Sequence, residues 1–594
     1  MARHESTKHS NRMLWLLLAI CVLTVIPFLG IYDYNTKGEP RESIVSYTML
    51  ESGNWILPRN SMEEIAYKPP LFYWLIAAVS AVNEEVNEFT SRLPSAIAYI
   101  CLTLGVFLFF RGYRGKTMAM VIALVTFTAW EMHRQGFNCR VDMLLTAFIV
   151  GALMMFYRWY EKGMRGIPFI AILMMSLATL TKGPIGTLLP CLVTGVFLLL
   201  RRVNFFRAFF SMLGYGLLAL VLPALWYYAA WQQGGQEFID LVMEENVGRM
   251  TSTMSYESCV QPWYYCIVSL IPGYLPWVIA ALLALFGVNW NGKRSYYFSA
   301  SDDSDKTSFL SRMKEKLHYA DSLELFSLTA IVVITIFYCI PQSKRSVYMM
   351  PVYPFIAYFL AQMLMWLHKR HPRVWVTYGG FLSVLGLALA MAFVVLKLTR
   401  LNPNWFQGSH GFQNYSMAVN LQQAGEIWQW ILLAVSVVVL VRWWKNKRSL
   451  WEVMAVVLAI YLQVDAVYKP AVLNAKSVKK VAFMVNELAP ESDGRLFEFI
   501  EAGALAKGDP VHYFELNFYL HDRVGNFHTE KPDSGFLMIG TEDAERWLPR
   551  FQNEGYRFNK ICDTGQQRVA GQPLQLLKFD KTKAEVPAVS PETP

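Results

Sequence analysis

The stretch LPSAIAYICLTLGVFLFFRGYRGK, residues 93–116, decides the class of fold. Its first eighteen residues carry no charge, and as a helix they reach ~27 Å, close to the ~30 Å hydrocarbon core of a bilayer. Arg111, Arg114 and Lys116 follow at once, and basic residues of this kind are retained on the cytoplasmic side when a helical hairpin inserts. The pattern recurs along the chain. Apolar windows near 13–31, 93–110, 117–131, 142–157, 167–181, 184–200, 208–231, 263–289, 324–340, 347–367, 374–396, 427–441 and 450–466 predict about thirteen membrane spans. Composition agrees: 54% of the 594 residues are hydrophobic, only 17% are charged, and the mean hydropathy is +0.28. The run 13–31, preceded by Arg3, Lys8 and Arg12, resembles a signal peptide but lacks a small-residue cleavage site, so it reads as a retained first helix.

With the N-terminus inside, every predicted cytoplasmic loop is basic, as at Arg158, Lys162 and Arg165 or Arg201, Arg202 and Arg207. The net charge of +9 therefore reads as topology rather than as a nucleic-acid-binding face. An odd number of spans places the C-terminal region in the periplasm. The chain divides into a membrane domain, 1–466, a C-terminal domain, 467–580, and a disordered tail, 581–594. Within the first, residues 32–92 form a long outer loop with two surface helices, one ending at Gly53 and one over Pro69–Ala81. The second domain reads as α/β, with a helix at Ser477–Leu488 and strands at Arg495–Ile500, Val511–Tyr519, Gly535–Ile539 and Leu574–Phe579. Thr541 reads as the N-cap of a further helix. The cytoplasmic loop 291–318 is polar and carries no sign of chemistry.

Charged groups at membrane depth cost roughly 2.5–3.5 kcal/mol each, so those at the outer ends of spans deserve a functional reading. Asp33, Glu39, Arg41, Lys68, Arg92, Arg140, Asp142, Lys182, Glu245, Arg249, Lys344 and Arg345 gather there. Basic side chains on the face where few are expected point to an anionic ligand, although Arg and Lys at helix ends also snorkel to headgroups. Cys21, Cys101, Cys191 and Cys266 read as small core hydrophobes, His133 as a polar surface residue, and Trp226–Tyr228 and Trp443–Trp444 as interfacial belts. No His or Cys cluster has zinc spacing, and no phosphate-binding glycine loop occurs.

The segments Gly38-Glu39-Pro40-Arg41-Glu42, Met49–Pro58, Tyr67-Lys68-Pro69-Pro70-Leu71 and Ser91–Ser95, in this order and spacing, resemble the first outer loop of the bacterial aminoarabinose transferases. Arg140–Met143, Thr181–Pro184, Gln261–Tyr265, Leu275–Trp277 and Ser343–Arg345 continue the likeness, which extends to the wider superfamily of protein O-mannosyltransferases. The resemblance implies a polytopic α-helical type C glycosyltransferase fold. It implies an inverting enzyme of the inner membrane that moves a sugar from a polyprenyl phosphate to an envelope acceptor, either a lipid A-like glycolipid or a protein. The implied catalytic carboxylates are Glu39, Asp142 and Asp33. The implied contacts to substrate and lipid phosphate are Arg41, Tyr67, Lys68, Arg92, Lys182, Arg249, Lys344 and Arg345. No cofactor is required, and a divalent metal is compatible with the chemistry. The sequence departs from the family at Gly38, where relatives carry Asp, at Tyr67, where Glu is frequent, and at Cys259, which stands for a family His. Two other classes compete: a transporter or flippase of a lipid-linked sugar, and a noncatalytic envelope-assembly protein. A transporter predicts internal symmetry and polar groups near the bilayer midplane, whereas these charges gather on one face.

Overall fold

The computed structural model describes residues 2–60, 64–66, 68–248, 260–288, 321–408, 410–501 and 512–582. Tyr67, Arg249, Cys259, the loop 291–318 and the tail from 583 lie outside the described residues.

Each apolar window falls on helix. By length and composition eight helices can cross a bilayer, and two bent pairs, Tyr265–Gly273 with Trp277–Gly287 and Gly411–Gln423 with Ile427–Trp443, raise the number to ten. The other three windows form α5 (Lys116–Phe127), α8 (Phe169–Lys182) and α9 (Ile185–Leu200), which are shorter than a full span. Ahead of these lie α1 (Ala2–Val25), the loop helices α2 (Gly38–Ser52) and α3 (Leu71–Asn83), and α4 (Glu88–Arg114). Between them run α6 (Trp130–Gly136) and α7 (Val141–Glu161), and α10 (Phe205–Met243) follows.

Local chemistry sets these boundaries. At the start of α4, the Asn87 side chain accepts from the Thr90 backbone N–H while Thr90 Oγ1 accepts from the Asn87 N–H, a reciprocal cap for two unpaired donors. Arg111 and Arg114 close the same helix against its carbonyl end. Helix α2 stops at Gly53, whose φ of 67° is the left-handed conformation that glycine adopts without penalty.

The C-terminal domain is built on a five-stranded sheet of order β4-β3-β5-β7-β6. Its strands are β3 (Leu496–Phe499), β4 (Val524–Asn526), β5 (Ser534–Gly540), β6 (Tyr556–Val569) and β7 (Gln572–Lys581). A separate two-stranded ribbon, β1 (Arg59–Asn60) and β2 (Glu64–Ile65), lies in the first loop. Strand alternation splits the domain core in two. Leu496, Phe536 and Met538 pack with the helix Lys479–Leu488, while Phe497, Phe499, Leu537 and Ile539 pack with Phe551 of the helix Thr541–Asn553.

Several expectations change. The run ending at Tyr519 is helical over Phe514–Tyr519 rather than a strand, because the buried residues Tyr513, Leu516, Asn517 and Leu520 recur with helical spacing. Thr541 is the first helical residue and not the cap. Gln572 Oε1 accepts from the N–H groups of Glu542 and Asp543 instead, a contact between elements thirty residues apart. The last span continues past 467, through a π-helical turn, Val464–Tyr468, to Asn474. Cys21 and Cys266 are buried as expected, Cys191 is partly so, and Cys101 is exposed.

Candidate active site

Two carboxylates one helical turn apart on α2 meet different fates. Glu39 is buried and fully engaged: Arg92 Nε donates to its Oε1 at 2.9 Å, Arg92 Nη2 to its Oε2 at 3.3 Å, and the Cys139 N–H to its Oε1 at 3.0 Å. Arg92 spends its remaining donors on the carbonyls of Leu29, Tyr32 and Asp33 and lies 4.0 Å from the Tyr32 ring. This knot ties the first loop to α4 and to the segment leading into α7. Glu42 is also completely buried, but Lys68 Nζ donates to its Oε1 in a short ion pair, Arg41 approaches to 3.7 Å, and its Oε2 has no hydrogen-bond partner among the described residues. Burial alone would raise the Glu42 carboxyl, yet Lys68, Arg41 and Arg140 together hold it below the usual carboxylate range.

Arg140 and Asp142 stand at the start of α7, and Lys182 is the last residue of α8. Asp142 and Lys182 suit the helix ends they occupy, an anion at the amino end and a cation at the carbonyl end. Lys182 Nζ donates to Asp142 Oδ1 and sits 4.6 Å from the centre of the Tyr348 ring. The chain turns sharply after Lys182 at Gly183, with φ 85° and ψ −165°. There an added Cβ would lie 2.8 Å from Asn246 Oδ1. Only glycine fits both constraints.

Lys68 and Lys182 line a cavity of about 350 Å³ together with Glu245, Asn246, Ser343 and Tyr348. Pro184 and Leu188 are shared with a second, almost wholly apolar cavity of about 550 Å³ between α9 and α10. This chamber, edged by charged groups, thus adjoins a hydrocarbon-lined groove.

The structure brings Arg41, Lys68, Asp142 and Lys182 together with Arg140. The other implied site residues among the described ones lie elsewhere. Glu39 and Arg92 form the internal knot, away from the cavity lining. Asp33 pairs at 3.5 Å with Lys479 of the C-terminal domain. Lys344 is buried and donates to the Gln261 carbonyl at 3.1 Å, holding an antiparallel bridge between Val260 and Ser343. Arg345 is exposed beside it. Glu42 and Tyr348 escaped sequence reasoning. For Glu42 a signal existed: it lies on the same helical face as Val45 and Met49, and a carboxylate on a buried face requires a cationic partner. His133 is a correction. It is buried, 2.8 Å from Asp465 Oδ2 and 4.2 Å from the Tyr461 ring, because the last span packs over α6. Trp226 is likewise buried, donating to the Ile56 carbonyl. No group of three or more His, Cys, Asp or Glu side chains is placed to hold a metal ion among the described residues.

A family model described as dolichyl-phosphate-mannose-protein mannosyltransferase matches residues 67–228, the part that holds Lys68, Asp142 and Lys182. An uncharacterised protein of Aquifex aeolicus (strain VF5) is 26% identical over 351 residues, covering 58% of this chain and 63% of that protein, just under two thirds of its length. The undecaprenyl phosphate-alpha-4-amino-4-deoxy-L-arabinose arabinosyl transferase of Enterobacter sp. (strain 638) is 22% identical over 573 residues, 92% of this chain and 93% of the relative. The solved structure of ArnT from Cupriavidus metallidurans bound to undecaprenyl phosphate matches with a TM-score of 0.66 at 17% identity, covering 95% of this chain and 97% of the other. The protein is a multi-pass inner-membrane glycosyltransferase with the type C fold. It is similar to both the aminoarabinose transferases and the protein O-mannosyltransferases.

Proposed function

We propose that this enzyme transfers a sugar from a polyprenyl phosphate to a lipid A-like glycolipid, with inversion at the anomeric carbon, on the outer face of the inner membrane. One observation carries the reading: the chamber lined by Lys68 and Lys182 adjoins, at Pro184 and Leu188, an apolar groove. A molecule with a phosphate at one end and a hydrocarbon chain at the other fits both parts. The names of the full-length relatives, which specify an undecaprenyl phosphate sugar, agree with this donor.

An anionic phosphate oxygen of the acceptor, which has no proton to lose, attacks the anomeric carbon from the side opposite the lipid phosphate, the carbon–oxygen bond to that phosphate breaks, and the lipid phosphate leaves with the electron pair. Negative charge grows on the departing phosphate, where Lys68, flanked by Arg41 and Arg140, stabilises it. Asp142 holds Lys182 at the chamber and is suited to orienting the acceptor. Glu39 and Arg92 serve the architecture of the loop. The basic loops put the N-terminus in the cytoplasm and the C-terminal domain in the periplasm. A phosphatase fused to the C-terminus is then active in intact cells, and an inactive fusion refutes that orientation.

The decisive assay uses purified protein with radiolabelled polyprenyl-phosphate sugar and lipid A. Label recovered on lipid A, with release of polyprenyl phosphate, supports the proposal. Label that only changes leaflet makes the protein a flippase, and label on protein makes it a protein glycosyltransferase.

A further inference from the structure

We propose that Glu42 is the positioning residue of the phosphate site, holding Lys68 at the chamber wall and keeping its ammonium charged between two arginines. The inference rests on the donor reading above and adds a residue to it. Three features set Glu42 apart from a carboxylate of the scaffold. First, Glu39 on the same helix has both oxygens bonded, whereas Glu42 uses Oε1 for Lys68 and leaves Oε2 without a hydrogen bond among the described residues. A fully buried carboxylate with one unbonded oxygen is costly to maintain and is not what a purely structural tie requires. Second, its partner Lys68 is a cation that lines the chamber. Third, the position one turn earlier on the helix is Gly38, which carries no charge and has the Arg140 guanidinium packed against it, so the anion that α2 presents to Lys68 is Glu42.

The charges facing Lys68 come from several elements. Arg41 and Glu42 lie on α2, Arg140 and Asp142 at the start of α7, and Lys182 at the end of α8, where it is neutralised by Asp142. Glu245 also lines the chamber. Burial pushes Lys68 down, to about 8, Glu42 opposes this, and Arg41 and Arg140 add to it. Asp142 also attracts Lys68, but Glu42 is its largest counter-charge, so without Glu42 the lysine loses its proton at lower pH.

The test is binding of undecaprenyl phosphate to the purified full-length protein in detergent between pH 6 and 10. For the wild type, affinity is highest while Lys68 is charged and falls as pH rises through about 8. For Glu42→Gln that fall moves at least one pH unit lower, so that affinity at pH 8 drops about tenfold relative to the variant's own value at pH 6. At pH 6 the variant binds at least as tightly as the wild type, because an anion beside the phosphate has been removed. A site merely damaged by the substitution would weaken at every pH. Should Glu42→Gln fail to fold, Glu42→Asp, which keeps the charge on a shorter arm, shifts the fall in the same direction by less. With either variant, a fall that coincides with that of the wild type overturns the proposal. Lys68→Arg, whose guanidinium does not titrate in this range, abolishes the fall. A fall that survives Lys68→Arg belongs to another group and overturns the assignment as well. If the wild type binds no undecaprenyl phosphate at any pH, the donor reading fails and this inference fails with it, whereas binding with an unmoved fall defeats this inference alone.

Discussion

At the scale of single residues, what an acidic side chain does here is decided by how many donors meet it. Glu39 and Glu42 share a helix and lie a turn apart, so local sequence does not separate them. Arg92, reaching from fifty residues away, saturates one and not the other. Glu39→Gln strands a buried guanidinium, and removal of one partner from such a pair costs about 3–5 kcal/mol. A marked fall in melting temperature is expected, with loss of folded protein from the membrane. A Glu39→Gln variant that melts like the wild type would show that the knot is not structural. Lys68→Met removes a cation from the leaving group while keeping much of the side-chain volume. A loss of ~10²–10³ in kcat is expected from the removal of one such stabilising group, measured on the folded fraction because stranding the buried Glu42 also lowers the melting temperature. Unchanged turnover would move the phosphate site elsewhere.

At the scale of elements, the junction of α8 and α9 aims Lys182. The helix ends at a glycine whose conformation is essentially closed to other residues and whose missing side chain admits Asn246. Gly183→Ala should cost ~1–3 kcal/mol in stability. It should also raise KM for the lipid donor, because Lys182 and the groove beyond Pro184 shift together. A crystal-clear fold with wild-type KM would argue that the turn tolerates displacement. The short helices α5, α8 and α9 were legible as apolar segments, since hydropathy depends on composition alone. Their lengths were less so, because glycines at 115 and 183 set them through backbone geometry.

At the scale of the whole molecule, the C-terminal domain grips the first loop. Lys479 pairs with Asp33 and Glu88, Tyr519 donates to Glu88 at 2.8 Å and accepts from the Tyr34 N–H, and Thr48 of α2 donates to Asp522. His512 joins Glu498 of its own domain to Glu64 of β2, with Nε2 3.0 Å from the Glu64 carboxylate. Burial disfavours the charged ring, but Glu498 and Glu64 outweigh it and raise the pKa to about 10. Because the folded pKa lies above the unfolded value near 6.5, this contact contributes fully below pH ~6.5 and fades as pH rises toward about 10. The melting temperature of the wild type should therefore exceed that of His512→Gln most at pH 6 and converge with it by pH 10. A difference that does not change with pH would mean that the histidine is not charged in the folded protein.

Class, approximate spans, three of the five strands of the C-terminal sheet and the lysine-rich site face could all be read from the chain. Hydropathy and strand alternation are properties of consecutive residues, and the bilayer imposes one length scale on all of them. The two edge strands β4 and β6 escaped because one is three residues long and the other is largely exposed, leaving no apolar alternation to detect. Tertiary structure alone separated the candidates. It gave Glu39 and Arg92 to the scaffold, Asp33 to the domain contact and Lys344 to a strand bridge, and it raised Glu42 beside Lys68. The physical reason is that a charge at a membrane surface acquires its role from the partners that satisfy it, and those partners come from helices far apart in the sequence.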